Sequence, residues 1–178
     1  TIQFVRYLPW LATQGAGHVL LAAQQSLHPL LAESGFTDLI APEDDSAEFD
    51  THISIMMLPA LYHAATGSLG TFGPYLRPRQ SLVERWKARL SDVEGFRIGI
   101  GWHGNNLFPW NAWRSVPLPQ FAPLARVPGA RLVVLQHGEG RDQLPLIKDS
   151  FDVVDLGAGV DRDGGAFMDT AAIIANLD

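Results

Sequence analysis

The sequence predicts an α/β protein with mostly parallel sheets. Three short apolar runs, at 97–102, 131–136 and 151–156, each end in glycine or polar residues, and segments with helical spacing separate them. Alternation of strands and helices is typical of a parallel sheet. The first half predicts a less regular version of the same pattern, with strands at 18–23 and 36–41 and helices at 26–34 and 59–65.

Turn and cap residues mark the other elements. An amphipathic helix is expected over 1–14, with Pro9 kinking or restarting it. The acidic stretch 43–50 predicts a surface loop, and the glycine- and proline-rich stretch 67–78 predicts a linker. Ser81 and Glu84 have the spacing of a capping box for a helix that runs to about Leu90. Further helices are expected over 118–126 and 140–148, and a last one begins at Asp169 or Thr170.

Composition limits the function classes. The 178 residues fit one large or two small domains, and 47% apolar residues provide for a core. A formal net charge of -6 argues against a nucleic-acid partner, and the absence of cysteine excludes disulfides, thiolate metal sites and a cysteine nucleophile. Apolar runs are too short for a membrane span, and no signal-peptide pattern is present. We therefore expect a soluble, cytoplasmic chain.

Polar residues follow two neighbouring predicted strands. His103 and Asn105 come after the first, and Gln136 and His137 come after the second. Ligands of open α/β sheets bind beyond the carboxyl ends of parallel strands, so these side chains predict a ligand site, for a molecule that carries phosphate. Arg114 is a candidate to grip the phosphate, or else it pairs with a nearby carboxylate. Ser115 either donates to phosphate or caps the helix that starts at Pro117.

The intervening loop is rich in aromatic residues. Trp110, Trp113 and Phe108 lie among amide side chains, a combination that suits a sugar or a nucleobase. The alternative is a loop that fixes itself by burying its two tryptophans. No histidine has the spacing of a metal site, and no dinucleotide, triphosphate-loop or GxSxG motif is present, so neither a metal nor a cofactor is expected.

Five segments in this order resemble a known family: 1–9 (TIQFVRYLP), 101–105 (GWHGN), 114–118 (RSVPL), 135–138 (LQHG) and 169–178 (DTAAIIANLD). Together they resemble the glycosyltransferase-like domain of bacterial tetratricopeptide-repeat proteins, which is related to the family 9 heptosyltransferases. The resemblance implies a GT-B fold of two Rossmann-like domains: an acceptor-side domain over 1–73, a linker and connecting helix over 74–96, and a donor-side domain over 97–178. Both domains are expected to be incomplete, the first at its start and the second at its end.

The resemblance also implies site roles. Arg114 matches the basic residue that relatives use against the donor diphosphate, and Gln136 and His137 match the position that faces the donor nucleoside or sugar. Gln3 and Arg6 would border the acceptor side. Relatives carry a Gly-Asp pair just before the first segment and an Asp-Thr-x-x-x-His segment after the last, and neither is present. No residue is therefore assigned as catalytic.

Three functions remain open from the sequence. The first is transfer of a sugar from a nucleotide sugar to a hydroxyl of a glycan or protein acceptor. The second is a non-catalytic module that binds a glycan or a protein, and the third is a sugar-nucleotide epimerase with the same fold. Truncated sheet edges also favour self-association into a homo-oligomer.

Overall fold

Two pairs of parallel strands, one in each half of the chain, organise the structure. The computed structural model describes all residues from Thr1 to Asp178, and they divide into two units, Thr1–Pro78 and Arg79–Asp178. Each unit contains one two-stranded parallel sheet and several short helices. The predicted α/β class and the parallel strand pairing are confirmed. None of the helices has the length and apolar character that a membrane span requires.

The first unit is built from short elements. In chain order they are a 3-10 turn Val5–Tyr7, α1 (Leu8–Thr13), β1 (Leu21–Ala22), a 3-10 turn Gln25–Leu27, α2 (His28–Glu33), β2 (Leu39–Ile40), a 3-10 turn Ile55–Met57 and α3 (Leu58–Thr66). Each of the three helices has proline in its first turn, where the missing N–H leaves no gap in the hydrogen bonding. A 3-10 turn therefore precedes α1, which begins next to Pro9, and no single kinked helix forms over 1–14.

The two strands of this unit are shorter than predicted. Leu21 pairs with Leu39 and Ala22 with Ile40, and the residues on either side of these pairs leave the sheet. No helix or strand forms over 43–50 or 67–78. The unit is held by buried aliphatic side chains and by an aromatic cluster in which Tyr7 and Tyr62 have ring centroids 5.4 Å apart.

The second unit carries the longer sheet. Its elements are α4 (Gln80–Arg89), β3 (Phe96–Ile100), α5 (Asn111–Arg114), a 3-10 turn Leu118–Phe121, α6 (Ala122–Ala125), β4 (Ala130–Val134), a 3-10 helix Arg141–Ile147 and α7 (Met168–Ile174). The register of β3 and β4 runs from Phe96 opposite Ala130 to Ile100 opposite Val134. Apolar clusters cover this sheet on both faces, as is usual for parallel strands.

The predicted third strand of this unit is wrong in length. Only Val154 joins the sheet, through a parallel bridge to Val133. Its neighbour Asp155 accepts a hydrogen bond from Gly157 N–H at 2.9 Å, and Gly157 has φ +89°, which directs the chain away from the sheet. The short side-chain turn therefore ends the pairing after one residue.

Two helix starts also differ from expectation. The capping box is wrong, because α4 begins at Gln80 and Glu84 instead accepts a hydrogen bond from the Gln80 side chain at 2.8 Å. Helix α7 begins at Met168, and no residue beside it supplies a side-chain cap. The Asp161 carboxylate does so from outside the helix, accepting from the N–H groups of Asp169 at 2.6 Å and Thr170 at 3.0 Å.

Candidate functional site

A cleft of about 290 Å³ lies where β3 and β4 end. Its lining residues come from the loops that follow the two strands: His103, Gly104, Asn105, Gln136, His137 and Glu139. Four of the predicted site residues are therefore neighbours in space. We call this the strand-end cleft.

Gln136 holds the two loops of the strand-end cleft together. It is 8% exposed, and its Oε1 accepts from the N–H groups of Trp102 and His103, both at 2.9 Å. Its Nε2 lies 3.0 Å from the carbonyl oxygen of His103, 3.2 Å from that of His137 and 2.8 Å from that of Glu139, and these three acceptors share its two N–H groups. The hydrogen-bonding capacity of the amide is used by backbone atoms, so Gln136 shapes the cleft by positioning its loops.

His103 is fixed by its neighbours on both sides. Its Nδ1 lies 2.6 Å from the carbonyl oxygen of Gly104, and because a carbonyl can only accept, Nδ1 carries the proton. Neutral His103 therefore has its lone pair on Nε2. Close packing sets the ring's position, since a side-chain carbon at Gly140 would lie only 2.5 Å from the His103 Cβ.

A small amide network supports the rim of the cleft. Ser115 Oγ accepts from Gly104 N–H at 3.1 Å and donates to Asn111 Oδ1 at 3.0 Å. Asn111 is 7% exposed and also donates to Asn106 Oδ1 at 3.0 Å. Asn105 turns its own loop, because its Oδ1 accepts from Leu107 N–H at 2.8 Å. The expectation that Ser115 caps the next helix is wrong, since its hydroxyl is committed to this network.

Arg114 lies at this rim without a carboxylate partner. It is exposed, no ion pair involves it, and its guanidinium carbon lies 5.5 Å from the centroid of the Phe108 ring. It approaches Gly104 so closely that a side-chain carbon there would lie 2.8 Å from Arg114 Nε. The alternative of a surface ion pair is therefore wrong. Arg114 presents an uncompensated positive charge beside the strand-end cleft.

The aromatic loop exposes its side chains. Trp113 is 85% exposed, Trp110 63% and Leu107 89%. The alternative, a loop that buries its two tryptophans, is therefore wrong. The short helix α5 carries Asn111 inward and Trp113 outward, so one polar contact anchors the loop while the indole rings face solvent.

His137 connects the cleft to the start of α7. Its Nε2 lies 3.2 Å from Thr170 Oγ1 and 3.5 Å from Asp161 Oδ2. The Thr170 hydroxyl donates to Asp161 Oδ2 at 2.5 Å, so it accepts from the ring, and Nε2 carries the proton of His137. These bonds fix the tautomer and the orientation of the imidazole.

An ion pair braces the end of β4. Arg141 contacts both carboxylate oxygens of Asp155, at 2.9 and 2.7 Å, and donates to the Gln136 carbonyl at 3.2 Å. Partial burial raises the pKa of Asp155, but hydrogen bonds from Arg141 and Gly157 N–H outweigh it, so the pKa of Asp155 is lowered overall. The ion pair and the hydrogen bond to the Gln136 carbonyl therefore hold the loop after β4 in place.

The two residues predicted to border an acceptor site belong to the first unit. Gln3 is exposed, whereas Arg6 is half-buried, with its guanidinium carbon within 5.4 to 5.9 Å of the ring centroids of Tyr7, Phe72 and Tyr75. Arg6 Nε is buried without a hydrogen-bond partner. The aromatic contacts give Arg6 a structural role in this unit. No group of three histidine, aspartate or glutamate side chains is arranged to hold a metal ion in either unit.

No family model and no solved structure matches the chain. The chain is similar to Protein FlbA of Caulobacter vibrioides, with 28% identity over an alignment 112 residues long that covers 58% of this chain. The matched part is 18% of FlbA, so the chain spans less than a fifth of that protein's length.

Three residues that shape the site were not singled out from the sequence. Asn111 belongs to the amide network, Glu139 lines the strand-end cleft, and Asp161 caps α7. Glu139 Oε2 accepts from Asn106 N–H at 2.8 Å. Glu139 and Asp161 lie in polar loops and Asn111 begins a four-residue helix, and in such segments a sequence shows composition but not which side chain turns inward.

Proposed function

We propose that this chain is a glycosyltransferase-like domain that binds a nucleotide sugar in the strand-end cleft. In this proposal it transfers the sugar to a hydroxyl group of a glycan or protein acceptor. The observation that carries the proposal is the meeting of a cleft at the carboxyl ends of two parallel strands, an unpaired arginine and two exposed tryptophans. Ligands of α/β sheets bind at this edge.

The chemistry of the rim supports a ligand with both phosphate and sugar. Arg114 offers a planar, permanently charged fork that matches phosphate oxygens. Trp110 and Trp113 offer ring faces on which a sugar or a base can stack. The cation and the stacking surfaces lie on one short helix and the loop before it, so a single ligand can engage both.

The cleft supplies the polar contacts that a sugar ring requires. In the neutral form of His103 the Nε2 atom is available as an acceptor, and Glu139 adds a carboxylate to the lining. In a transfer reaction a base removes the proton of the acceptor hydroxyl, which then attacks the anomeric carbon and displaces the nucleoside diphosphate. Arg114 would stabilise the negative charge that develops on the leaving diphosphate.

The proposed architecture is GT-B, with the first unit as the acceptor-side Rossmann-like domain and the second as the donor-side one. The parallel pairs β1–β2 and β3–β4 support this arrangement, since each pair is connected through a helix. The proposal also includes a cytoplasmic location and a parent protein with tetratricopeptide repeats. The matched 18% of FlbA is compatible with a domain inside a longer protein.

Thermal-shift titrations test the proposal. The whole chain is titrated with UDP, GDP, ADP and CMP, and with nucleotide sugars of the base that stabilises it most. A ligand that binds only the folded state raises the melting temperature by mass action. We expect one base to stabilise the chain more than the others, and this difference to vanish in Arg114→Ala. The control Arg126→Ala removes an exposed arginine that follows α6 and should keep the shift.

The thermal shift reports nucleotide binding, and turnover of the nucleotide sugar reports transfer. Absence of a shift with every nucleotide, or an equal loss in Arg114→Ala and Arg126→Ala, would contradict a donor site in the strand-end cleft. A shift that depends on Arg114 without turnover of the nucleotide sugar would support binding and contradict transfer by this chain.

A second candidate is a non-catalytic module that binds a glycan or a protein. The observation that favours it is the exposure of Trp110 and Trp113, which leaves a wide apolar surface in water. In this case Trp113→Ala abolishes binding on a glycan array, whereas Arg114→Ala binds as wild type does. Loss of binding in Arg114→Ala alone would exclude this candidate.

A further inference from the structure

A second cleft, of about 380 Å³, lies between α4 and the loop before α7. Three arginines of the α4 segment line it together with two aspartates and a glycine-containing loop: Arg79, Arg85, Arg89, Asp163, Asp169, Gly159 and Gly164. We call this the arginine cleft. All of its residues belong to the second unit.

Two of these arginines are held in place on one indole ring. The guanidinium carbons of Arg85 and Arg89 lie 5.3 and 5.1 Å from the centroid of Trp86, which is 3% exposed. Cations stacked on an aromatic face keep a defined direction, so less side-chain entropy is lost when they bind a ligand. Trp86 therefore acts as a support for two positive charges.

The negative charge of Asp169 is already satisfied inside the protein. Its Oδ1 accepts from Arg85 and from Trp86 Nε1, the latter at 2.7 Å, and its Oδ2 accepts from Asp161 N–H at 3.0 Å. Its side chain is 4% exposed, whereas that of Arg85 is 57% exposed. Arg85 thus neutralises the buried carboxylate with one nitrogen and keeps further N–H donors toward the cleft.

Arg89 likewise keeps donors available. One of its terminal nitrogens donates to the Leu156 carbonyl at 3.0 Å, which fixes the side chain without neutralising its charge. Asp163 is the remaining carboxylate in the lining, and no ion pair joins it to Arg89. A preorganised pair of forked cations in a concave site is suited to phosphate oxygens.

We propose that the arginine cleft is a binding site for a small phosphate-bearing ligand, with Arg85 and Arg89 as its main contacts. The site is separate from the strand-end cleft and does not depend on the function proposed for it. A chain of polar contacts connects the two clefts: His137 contacts Asp161, Asp161 bonds Asp169, and Asp169 bonds Arg85. A ligand bound to Arg85 in the arginine cleft would therefore be linked, through Asp169 and Asp161, to His137 in the wall of the strand-end cleft.

Isothermal titration of the whole chain with pyrophosphate tests this site. We expect saturable binding of one pyrophosphate per chain in the Arg114→Ala background, where the strand-end cleft has lost its cation. Arg89→Gln removes a charged donor and should weaken binding by about tenfold or more. Arg85→Lys keeps a charge beside Asp169, so the variant remains folded, but it removes the fork and should weaken binding several-fold.

Lys87→Gln is the matched control. Lys87 is an exposed cation of α4 that does not line the cleft, so its removal changes the net charge equally. Binding should stay within about twofold of wild type, because exposed charges at a distance are largely screened by salt. Urea denaturation of each variant confirms that it is folded.

Several outcomes of the pyrophosphate titration would contradict the proposed site. No saturable binding by wild type, unchanged binding in Arg89→Gln, or an equal loss in Lys87→Gln would overturn the arginine cleft as a site. Binding that is lost in Arg114→Ala but kept in Arg89→Gln would overturn it as well, and would assign the pyrophosphate to the strand-end cleft instead.

Discussion

Replacement of Gln136 by leucine tests how the strand-end cleft is held. The substitution keeps an apolar side chain of similar size and removes five hydrogen bonds to the backbone of two loops. The N–H of Trp102 loses its only partner in a fully buried position, and the N–H of His103 loses its partner in a partly buried one. A buried donor left without a partner costs about 1–3 kcal/mol, so the variant should lose about 2–5 kcal/mol of unfolding free energy.

Urea denaturation followed by tryptophan fluorescence measures this loss. Four of the five tryptophans lie in the second unit, so fluorescence reports mainly on the unit that contains Gln136. The matched control is Gln143→Leu, which removes a single hydrogen bond, from Leu118 N–H at 2.8 Å, and should cost about 1 kcal/mol. Equal losses in the two variants would refute the view that Gln136 joins the two loops.

Three further predictions follow from single contacts. Gly104→Ala places a carbon 2.3 Å from the side-chain amide oxygen of Asn111 in α5, so it should cost about 1–3 kcal/mol in urea denaturation and abolish nucleotide-induced shifts. Gly17→Ala, with open space around it and outside both clefts, should do neither. Arg6→Ala removes contacts with three aromatic rings and should cost about 1–2 kcal/mol in unfolding followed by near-UV circular dichroism; an unchanged midpoint would contradict a structural role. Hydrogen bonds from Arg97 lower the pKa of Asp178 to about 2, so the stabilisation from this pair is present above pH 3.8 and disappears as the pH falls through about 2. An NMR titration should show this pKa rising toward 3.8 in Arg97→Gln, and an unchanged value would contradict the assignment.

The fold class was predictable because apolar periodicity determines it. The runs at 97–102 and 131–136 are flanked by helical patterns, and they form the paired strands β3 and β4. The run at 151–156 has the same composition but contributes a single bridge, because the Asp155 side chain turns the backbone at Gly157. Periodicity cannot reveal such a local competitor of strand pairing.

The site was predictable in position and less so in detail. Parallel strands bring their carboxyl ends to one edge of a sheet, so the residues after the predicted strands were expected to lie together. The structure places four of them in one cleft: His103, Asn105, Gln136 and His137. The sequence did not show that the Gln136 amide is used by backbone atoms or that Trp113 points to solvent. Side-chain direction in a loop depends on long-range contacts, and these contacts are absent from any local pattern.

Mapping a nucleotide sugar onto the chain by amide NMR tests the central claim most directly. The ligand is the one that gives the largest thermal shift, and the signals followed are the backbone amides and the tryptophan side-chain N–H groups. If the strand-end cleft binds the donor, the largest changes fall on the backbone of 103–105 and 137–139 and on the indoles of Trp110 and Trp113, and they disappear in Arg114→Ala. Changes confined to the first unit, or none at saturating ligand, would contradict a donor site at the ends of β3 and β4.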